Sequence, residues 1–167
     1  LSNGSIDSTF TVGSGSSSYV EDACIQPDGK IIIVGAFTSF NGTACKGIVR
    51  LNPNGSLDTT FTLTSQLYLS RWGVRVGILS SGKILLAGLF TKQGVGNYGC
   101  IARLNSDGTE DTTFIPGSGT NNMICAFAEL PDGNILIGGK FSMYDSIAVN
   151  NIALLNPDGT FNNSFNA

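Results

Sequence analysis

The chain contains no histidine and few charged residues. Charged residues make up 13% of its 167 residues, against about 25% in an average soluble protein. The absence of histidine excludes the Ser-His-Asp and Cys-His relays of many hydrolases, together with every zinc or haem site that needs a histidine ligand. Most familiar enzyme mechanisms are therefore excluded.

Basic residues are also scarce, with nine Lys and Arg against twelve Asp and Glu, which gives a net charge of −3 and a pI near 4.7. Because nucleic acids select basic surfaces, we expect no nucleic-acid partner. The longest apolar stretches, residues 31–37 and 84–90, are far shorter than the ~20 residues that span a bilayer, so we expect no membrane insertion. The chain opens at Leu1 without a signal-type segment, which we interpret as a mature product or a fragment.

The four cysteines, Cys24, Cys45, Cys100 and Cys125, show no CxxC spacing, so a structural zinc site has no support. Three of them lie in apolar, strand-like segments, where a thiol behaves as a small hydrophobic group. We predict free thiols, with disulfides as the alternative, and we expect no cofactor.

Two motifs recur along the chain in one register. The first, here the Leu-to-Phe motif, reads LSNGSIDSTF (1–10), LNPNGSLDTTF (51–61), LNSDGTEDTTF (104–114) and LNPDGTFNNSF (155–165). The second, here the hairpin motif, reads PDGKIIIVGAF (27–37), SSGKILLAGLF (80–90) and PDGNILIGGKF (131–141). The first leucines of the Leu-to-Phe motif are 50, 53 and 51 residues apart, and the last phenylalanines of the hairpin motif are 53 and 51 apart. This pattern indicates a tandem repeat.

The pattern of apolar runs and turns in each repeat predicts four short antiparallel strands. In the first repeat, residues 23–25 and 31–34 flank an Asp-Gly turn, and further strands are predicted at 47–51 and 57–61. No long stretch has helical periodicity, and 22 glycines interrupt the chain. Four-stranded units of ~50 residues are typical of propeller blades. We predict an all-β fold of β-propeller-type blades, with blades 1, 2 and 3 at residues 11–61, 62–114 and 115–165, and residues 1–10 as the last strand of a preceding blade.

The segments PDGKIIIVGAFTSFNG (27–42) and RLNPNGSLDTTF (50–61) resemble the delta-sixty repeat, a bacterial and phage propeller-type repeat. The resemblance covers all three units and the terminal partial copy. It implies an extracellular, cell-surface or virion-associated protein, such as a phage tail fibre, with no known catalytic residues. The second unit departs from the pattern at Ser80-Ser81 and at residues 93–95.

Three blades are fewer than the ~4–8 of a closed propeller, and exposed strand edges recruit other strands. We therefore expect the partners to be other copies of the chain or other blades of a longer chain. A six-bladed ring of two chains is the simplest closed assembly, and an open or filamentous stack is the alternative.

The variable loops share one face of the predicted array, and loops of this kind usually carry function. The tyrosines and the single tryptophan lie in or beside these loops, where they offer contact area for a glycan, a host receptor or a partner protein. The candidate binding residues are Tyr19, Asn41, Tyr68, Arg71, Trp72, Asn97, Tyr98 and Tyr144. The alternative is that each ring caps its own blade.

The sequence contains two further patterns that suggest a site. Oxygen-bearing residues alternate in the Leu-to-Phe motif, as in calcium loops. However, Asn54 and Asn162 replace carboxylates in two copies, Ser2 replaces the first Asn in another, and no copy ends in the bidentate Glu, so we predict turns and no metal site. Glu21 and Asp145 form the one carboxylate pair considered for glycoside hydrolysis. We predict a non-catalytic module for assembly and recognition, with a lectin-like propeller or, more remotely, a glycoside hydrolase as the alternatives.

Overall fold

The computed structural model describes residues 3–11, 13–64, 67–69, 73–92 and 100–165, and its regular elements in these ranges are β-strands. No helix in the described ranges has the length and apolar composition needed to cross a membrane. The strands are β1 (Val20–Ile25), β2 (Ile31–Gly35), β3 (Ser39–Phe40), β4 (Thr43–Ala44), β5 (Ile48–Leu51), β6 (Leu67–Tyr68), β7 (Arg75–Ile78), β8 (Ile84–Gly88), β9 (Thr91–Lys92), β10 (Cys100–Leu104), β11 (Ile124–Glu129), β12 (Ile135–Gly139), β13 (Met143–Tyr144), β14 (Ile147–Ala148) and β15 (Ile152–Leu155).

Three antiparallel sheets of three strands form the body of the molecule, in the orders β1-β2-β5, β7-β8-β10 and β11-β12-β15. The central strand of each sheet is the apolar run of a hairpin motif. The turn before it requires a glycine, because Gly29, Gly82 and Gly133 have φ values of 81°, 77° and 82°, which side chains rarely adopt. Each sheet lies within one of the blades predicted from the repeat.

The fourth strand expected at residues 57–61 is reduced to a single bridge between Leu51 and Leu57. Immediately afterwards, the Asp58 carboxylate accepts hydrogen bonds from the backbone N and the Oγ1 of Thr60, at 3.0 and 2.7 Å. This turn leads the chain to the next blade, where the Thr62 N–H donates to the Asp107 carbonyl. The same single bridge recurs at Leu104–Glu110 and Leu155–Phe161. Each blade is therefore a three-stranded sheet closed by a turn-forming segment.

The segment after the second strand, expected to be a loop, forms a small hairpin in blades 1 and 3. Strand β3 pairs with β4, and β13 pairs with β14. The tips are tight, with positive φ at Asn41 and Gly42 in blade 1 and at Asp145 and Ser146 in blade 3. Such φ values at both central residues are typical of the hairpin turns that match strand twist.

The hydrophobic core lies between the blades. We call the side of a blade that faces the preceding blade its front flank and the side that faces the next blade its rear flank. One cluster joins the rear flank of blade 1, including Ile32 and Val34, to the front flank of blade 2, including Ile84 and Leu86. A second cluster joins the rear flank of blade 2 to the front flank of blade 3 in the same way. Blades therefore stabilise one another, as in other repeat proteins.

Three phenylalanines hold equivalent buried places on the front flanks of the three blades. Phe37, Phe90 and Phe141 end the three hairpin motifs, and their exposed fractions are 0%, 1% and 1%. A third and smaller cluster contains Phe37 and Phe40 on the front flank of blade 1, where no further blade of the described chain packs. The clusters between blades thus contain residues of two blades, whereas the cluster at this end contains residues of blade 1 alone.

Candidate functional site

Two of the tyrosines proposed for binding are exposed at the loop face. Tyr19 lies just before β1 and is 65% exposed, and Tyr68 lies in β6 and is 47% exposed. The Lys46 ammonium lies 4.9 Å from the centre of the Tyr68 ring, within the range of a cation–π contact. Tyr68 is therefore held against blade 1 while much of its surface stays accessible.

Tyr144 is not a surface residue, which corrects its place among the candidate binding residues. Its exposed fraction is 0%, and its hydroxyl donates to the Gly159 carbonyl at 2.6 Å. Burial, together with the charges of Asp145 and Asp158, raises the pKa of this hydroxyl. Tyr144 is the counterpart of the buried Phe40 of blade 1, so it fills the core, where it cannot contact a ligand.

Asn41 has a structural task at the tip of the blade 1 hairpin. It adopts φ of 49°, and its Oδ1 accepts a hydrogen bond from the Gly15 N–H at 2.9 Å. Asp145 does the same in blade 3, where its Oδ1 accepts from the Ser118 N–H at 2.9 Å. Both side chains tie the loop that enters the blade to the hairpin, and this use competes with ligand binding.

The remaining candidate binding residues, Arg71, Trp72, Asn97 and Tyr98, lie outside the described residues. Of the eight candidates, the structure thus leaves Tyr19 and Tyr68 as described aromatic side chains with a large exposed surface.

The carboxylates considered for glycoside hydrolysis each hold backbone groups in place. The Oε2 of Glu21 accepts from the Val74 N–H at 2.7 Å and so links β1 to the start of blade 2, while Asp145 is engaged at Ser118. The other oxygen of Glu21, Oε1, is buried and has no hydrogen-bond partner among the described residues. These contacts give both acids structural roles.

The oxygen-bearing residues of the Leu-to-Phe motifs are used within turns. The Oδ1 of Asn54 accepts from the N and Oγ of Ser56, and that of Asp107 accepts from the N and Oγ1 of Thr109, at distances of 2.7 to 3.1 Å. Within the described ranges no group of three or more His, Cys, Asp or Glu residues could hold a metal ion. Turn chemistry accounts for the pattern that resembled a calcium loop.

Three cysteines, Cys24, Cys45 and Cys125, are free thiols. Burial, with a smaller contribution from the charge of Asp22, raises the pKa of Cys24 to about 12. A thiol with so high a pKa is not a nucleophile near neutral pH, because the thiolate is the reactive form. The side chain of Cys100 is outside the described set.

A buried ionic cluster, which the sequence did not lead us to expect, closes blades 1 and 2. In blade 1, the Oδ2 of Asp58 lies 2.8 Å from both Lys30 Nζ and Arg50 Nε. Burial alone would raise the pKa of Asp58, but hydrogen bonds from Lys30 and Thr60 and the charge of Arg50 hold that pKa well below its usual range. The cluster fastens the turn segment to the second and third strands.

Blade 2 repeats this cluster with Lys83, Arg103 and Asp111, where both nitrogen–oxygen distances are 2.6 Å. Blade 3 replaces all three charges, with Asn134, Leu154 and Asn162 at the same positions of the repeat. A signal for this cluster was present in the sequence, because a Lys after the Gly of the hairpin motif and an Arg before the Leu recur together in two repeats and disappear together in the third.

The same arginines reach into the next blade. Arg50 Nη1 donates to the Ser106 carbonyl at 2.7 Å, and Arg103 Nη1 donates to the Pro157 carbonyl. Ser106 and Pro157 hold the same position in successive Leu-to-Phe motifs. Each arginine therefore closes its own blade and also bonds to the backbone of the following one.

The last phenylalanine of the Leu-to-Phe motif also crosses between blades. A Cβ added to Gly108 would lie 2.8 Å from Cε2 of Phe61, and a Cβ added to Gly159 would lie 2.8 Å from Cε2 of Phe114. The ring from one blade thus rests on the glycine of the next, and the guanidinium groups of Arg50 and Arg103 lie 5.0 and 4.7 Å from the two ring centres. Only glycine admits so close an approach.

The front flank of blade 1 is partly exposed, although Phe37 and Phe40 on the same flank are buried. Ile25 on this flank is 68% exposed, and Ile31 and Ile33 are partly buried. The residues equivalent to Ile31 are Ile84 and Ile135, with exposed fractions of 0% and 1%. The difference arises because a neighbouring blade covers the front flanks of blades 2 and 3. Ile25 is thus a large apolar side chain that stays exposed on a flank that has no neighbouring blade in the described chain.

Three segments of the chain, residues 26–61, 79–114 and 130–165, match the family model described as "Domain of unknown function (DUF5122) beta-propeller". No curated protein matches the chain. A solved structure of a protein of unknown function from Bacteroides caccae is similar, with 14% sequence identity and a TM-score of 0.42 over 83% of this chain and 46% of that chain. The chain thus spans about half the length of that protein. Because the family model matches more than half of the chain, in the segments that build the three blades, this all-β chain belongs to the DUF5122 beta-propeller family.

Proposed function

We propose that the chain is a non-catalytic propeller module that works by assembly, through its blade flanks, and by recognition, through its loop face. The observation that carries the proposal is the open front flank of blade 1, where Ile25 is 68% exposed while the matching surfaces of blades 2 and 3 are covered. Uncovering such a flank leaves apolar area in water, which docking of another blade would remove. Its partners are then blades of another chain or of a longer polypeptide.

The resemblance of the repeats to delta-sixty repeats supports a place outside the cell, on the cell surface or in a virion, for example in a tail fibre. The absence of histidine and the structural use of Glu21 and Asp145 support a role without catalysis.

Site-specific photocrosslinking tests the assembly role. A photoreactive amino acid at position 25, introduced into the protein in the organism that makes it, should crosslink to a segment with the strand–turn–strand sequence of a blade. The matched control is position 115, because Ile115 is 60% exposed but lies outside the front flank of blade 1. Crosslinks at position 25 that are no more frequent than at position 115, or that join only segments of other folds, would contradict the proposal.

A second candidate function, glycan binding by the loop face, rests on the exposure of Tyr19 and Tyr68. Aromatic rings stack on the apolar faces of sugars. Glycan-array binding should be lost in Tyr19→Ala and Tyr68→Ala. It should be retained in Tyr144→Phe, because the hydroxyl that this substitution removes is buried. Absence of binding by the unaltered protein, or equal binding by all four proteins, would leave assembly as the function.

A further inference from the structure

The two ends of the array are chemically different. At the rear flank of blade 3, Leu136 and Ile152 are partly buried, whereas their counterparts Ile32 and Ile48 in blade 1 are 0% and 4% exposed. This end also carries Asn134, Leu154 and Asn162 in place of the Lys, Arg and Asp of the other blades. It is uncharged at the positions where the rear flanks of blades 1 and 2 present an ionic cluster.

The other end, at the front of blade 1, carries an unmatched carboxylate. Residues 3–10 follow the Leu-to-Phe motif, and the Thr11 N–H donates to the Asn54 carbonyl at 2.9 Å, just as Ile115 donates to Asp158 between blades 2 and 3. Asp7 holds the position of Asp58 and Asp111. Its Oδ1 accepts from the N and Oγ1 of Thr9 at 2.9 and 2.6 Å, which repeats the turn at Asp58.

The second oxygen of Asp7 differs from the equivalent oxygens of Asp58 and Asp111 in its contacts with basic side chains. The Oδ2 atoms of Asp58 and Asp111 each contact one lysine and one arginine, while among the described residues no cation contacts Asp7. At the same end, the Pro53 carbonyl holds the position of the Ser106 and Pro157 carbonyls, which accept hydrogen bonds from Arg50 and Arg103. By their positions in the repeat, Asp7 and the Pro53 carbonyl correspond to the two groups that the lysine and arginine contact at the other blade boundaries.

We propose that the front of blade 1, together with residues 3–10, is a docking surface for a propeller blade that carries a Lys and an Arg at the positions of Lys30 and Arg50. This inference rests on the proposed assembly role and specifies its partner. The apolar part of such a blade covers Ile25, Ile31 and Ile33. Its arginine pairs with Asp7 and donates to the Pro53 carbonyl, and its lysine completes the cluster.

The proposal excludes head-to-tail pairing with the last blade of a second copy. That blade offers Leu154 and Asn134, so docking it would leave the Asp7 carboxylate desolvated beside apolar and uncharged groups, which is unfavourable. The two blades that do carry the Lys–Arg pair have their rear flanks covered by blades 2 and 3. The partner blade therefore comes from a different polypeptide or from another part of a longer one, and a six-bladed ring of two chains is disfavoured.

The selectivity can be tested by giving the last blade the missing charges. In Asn134→Lys/Leu154→Arg, the rear flank of blade 3 should bind the front of blade 1 of another copy. Residues 3–10 of that copy should take the place of residues 161–165, so that Asp7 replaces Asn162. We expect self-association about tenfold tighter than in the unaltered chain, measured by sedimentation and native mass spectrometry, and weakened by high salt. A matched uncharged variant, Asn134→Gln/Leu154→Met, should behave like the unaltered chain.

The role of Asp7 has its own control. Adding Asp7→Asn to the Lys–Arg variant should abolish the gain, and mixing this triple variant with the unaltered chain should restore a discrete one-to-one complex. If the double variant is unstable in thermal melts, Leu154→Arg alone repeats the test with half of the pair. An unchanged association constant in the charged variants, or a gain that survives Asp7→Asn, would overturn the proposal.

The crosslinking experiment tests the assembly role separately from the charge selectivity. A crosslink from position 25 to a blade without the Lys–Arg pair would overturn the charge selectivity and leave assembly intact. A crosslink to a blade that carries both residues would support the two together.

Discussion

The guanidinium of Arg50 lies 2.7 Å from the Ser106 carbonyl oxygen, so a side chain that closes blade 1 also bonds to the backbone of blade 2. The arrangement couples the closure of one blade to the docking of the next. Blade 3 has Leu154 in this position and lacks the coupling. The stability of the array is therefore expected to be unevenly distributed along the chain.

Removing the carboxylate of Asp58 should be strongly destabilising, because it leaves Arg50, whose side chain is 7% exposed, without its anionic partner. We expect Asp58→Asn to lower the free energy of unfolding by about 3–5 kcal/mol, the range for breaking a buried ion pair. Urea denaturation measures the change. The control is Asn162→Ala, at the same position of blade 3, which should cost about 1 kcal/mol or less. Equal losses in the two variants would show that the ionic cluster contributes nothing specific.

The same carboxylates set the acid limit of stability. The pKa values of Asp58 and Asp111 lie well below the unfolded-state value of about 3.9, so these groups stabilise the fold above that pH and lose the contribution as pH falls toward the folded-state values. We expect a nearly constant free energy of unfolding between pH 7 and about 5 and a decline below about pH 4. The decline should be shallower in Asp58→Asn/Asp111→Asn, and identical slopes would refute this assignment.

Truncation of a core phenylalanine should cost much more than truncation of a terminal one. Phe90 is 1% exposed between blades 1 and 2, whereas Phe10 is 39% exposed. Phe90→Ala should lower the free energy of unfolding by about 3–5 kcal/mol, as for other packed aromatic residues, and Phe10→Ala should cost far less. Chemical denaturation of both variants checks this. A cost below about 1 kcal/mol at Phe90 would mean that the core is wrongly assigned.

Calcium should have no effect on stability, because the Asn54 and Asp107 oxygens already accept hydrogen bonds within their turns. Thermal melts with added calcium and with a chelator are expected to coincide, since an ion that bound the native state would raise the melting temperature. Asn54→Asp supplies a matched variant with one more carboxylate. A rise in melting temperature with calcium in the unaltered chain would restore the metal site.

The sequence was sufficient to predict the blades, because the repeat spacing, the Asp-Gly turns and the β-branched runs are local signals. The fourth strand could not be predicted in the same way. A run such as Leu57–Phe61 has strand composition, but the carboxylate of Asp58 captures the N–H of Thr60 and turns the chain. Local side-chain chemistry therefore overrode strand propensity at this point.

The candidate site was predicted less well than the fold, because the position of a residue in a loop does not show whether its side chain is buried. Tyr144 stands in a loop by sequence, yet it is the counterpart of the buried Phe40, and alignment of the repeats would have placed it in the core. The pairing that we propose for Asp7 depends on which charges meet across a blade boundary. Such pairing is visible only once the order of flanks is known.

The contact between Phe61 and Gly108 has a consequence for how such arrays change over generations. The aromatic ring and the glycine that admits it belong to consecutive repeats, as do Phe114 and Gly159. A gene duplication of one full period, wherever its breakpoints fall, keeps every ring opposite a glycine, whereas a point mutation at the glycine damages a neighbour that is itself unchanged. A change of blade number by whole periods therefore preserves these ring-to-glycine contacts, whereas a substitution at one of the glycines disturbs two blades at once.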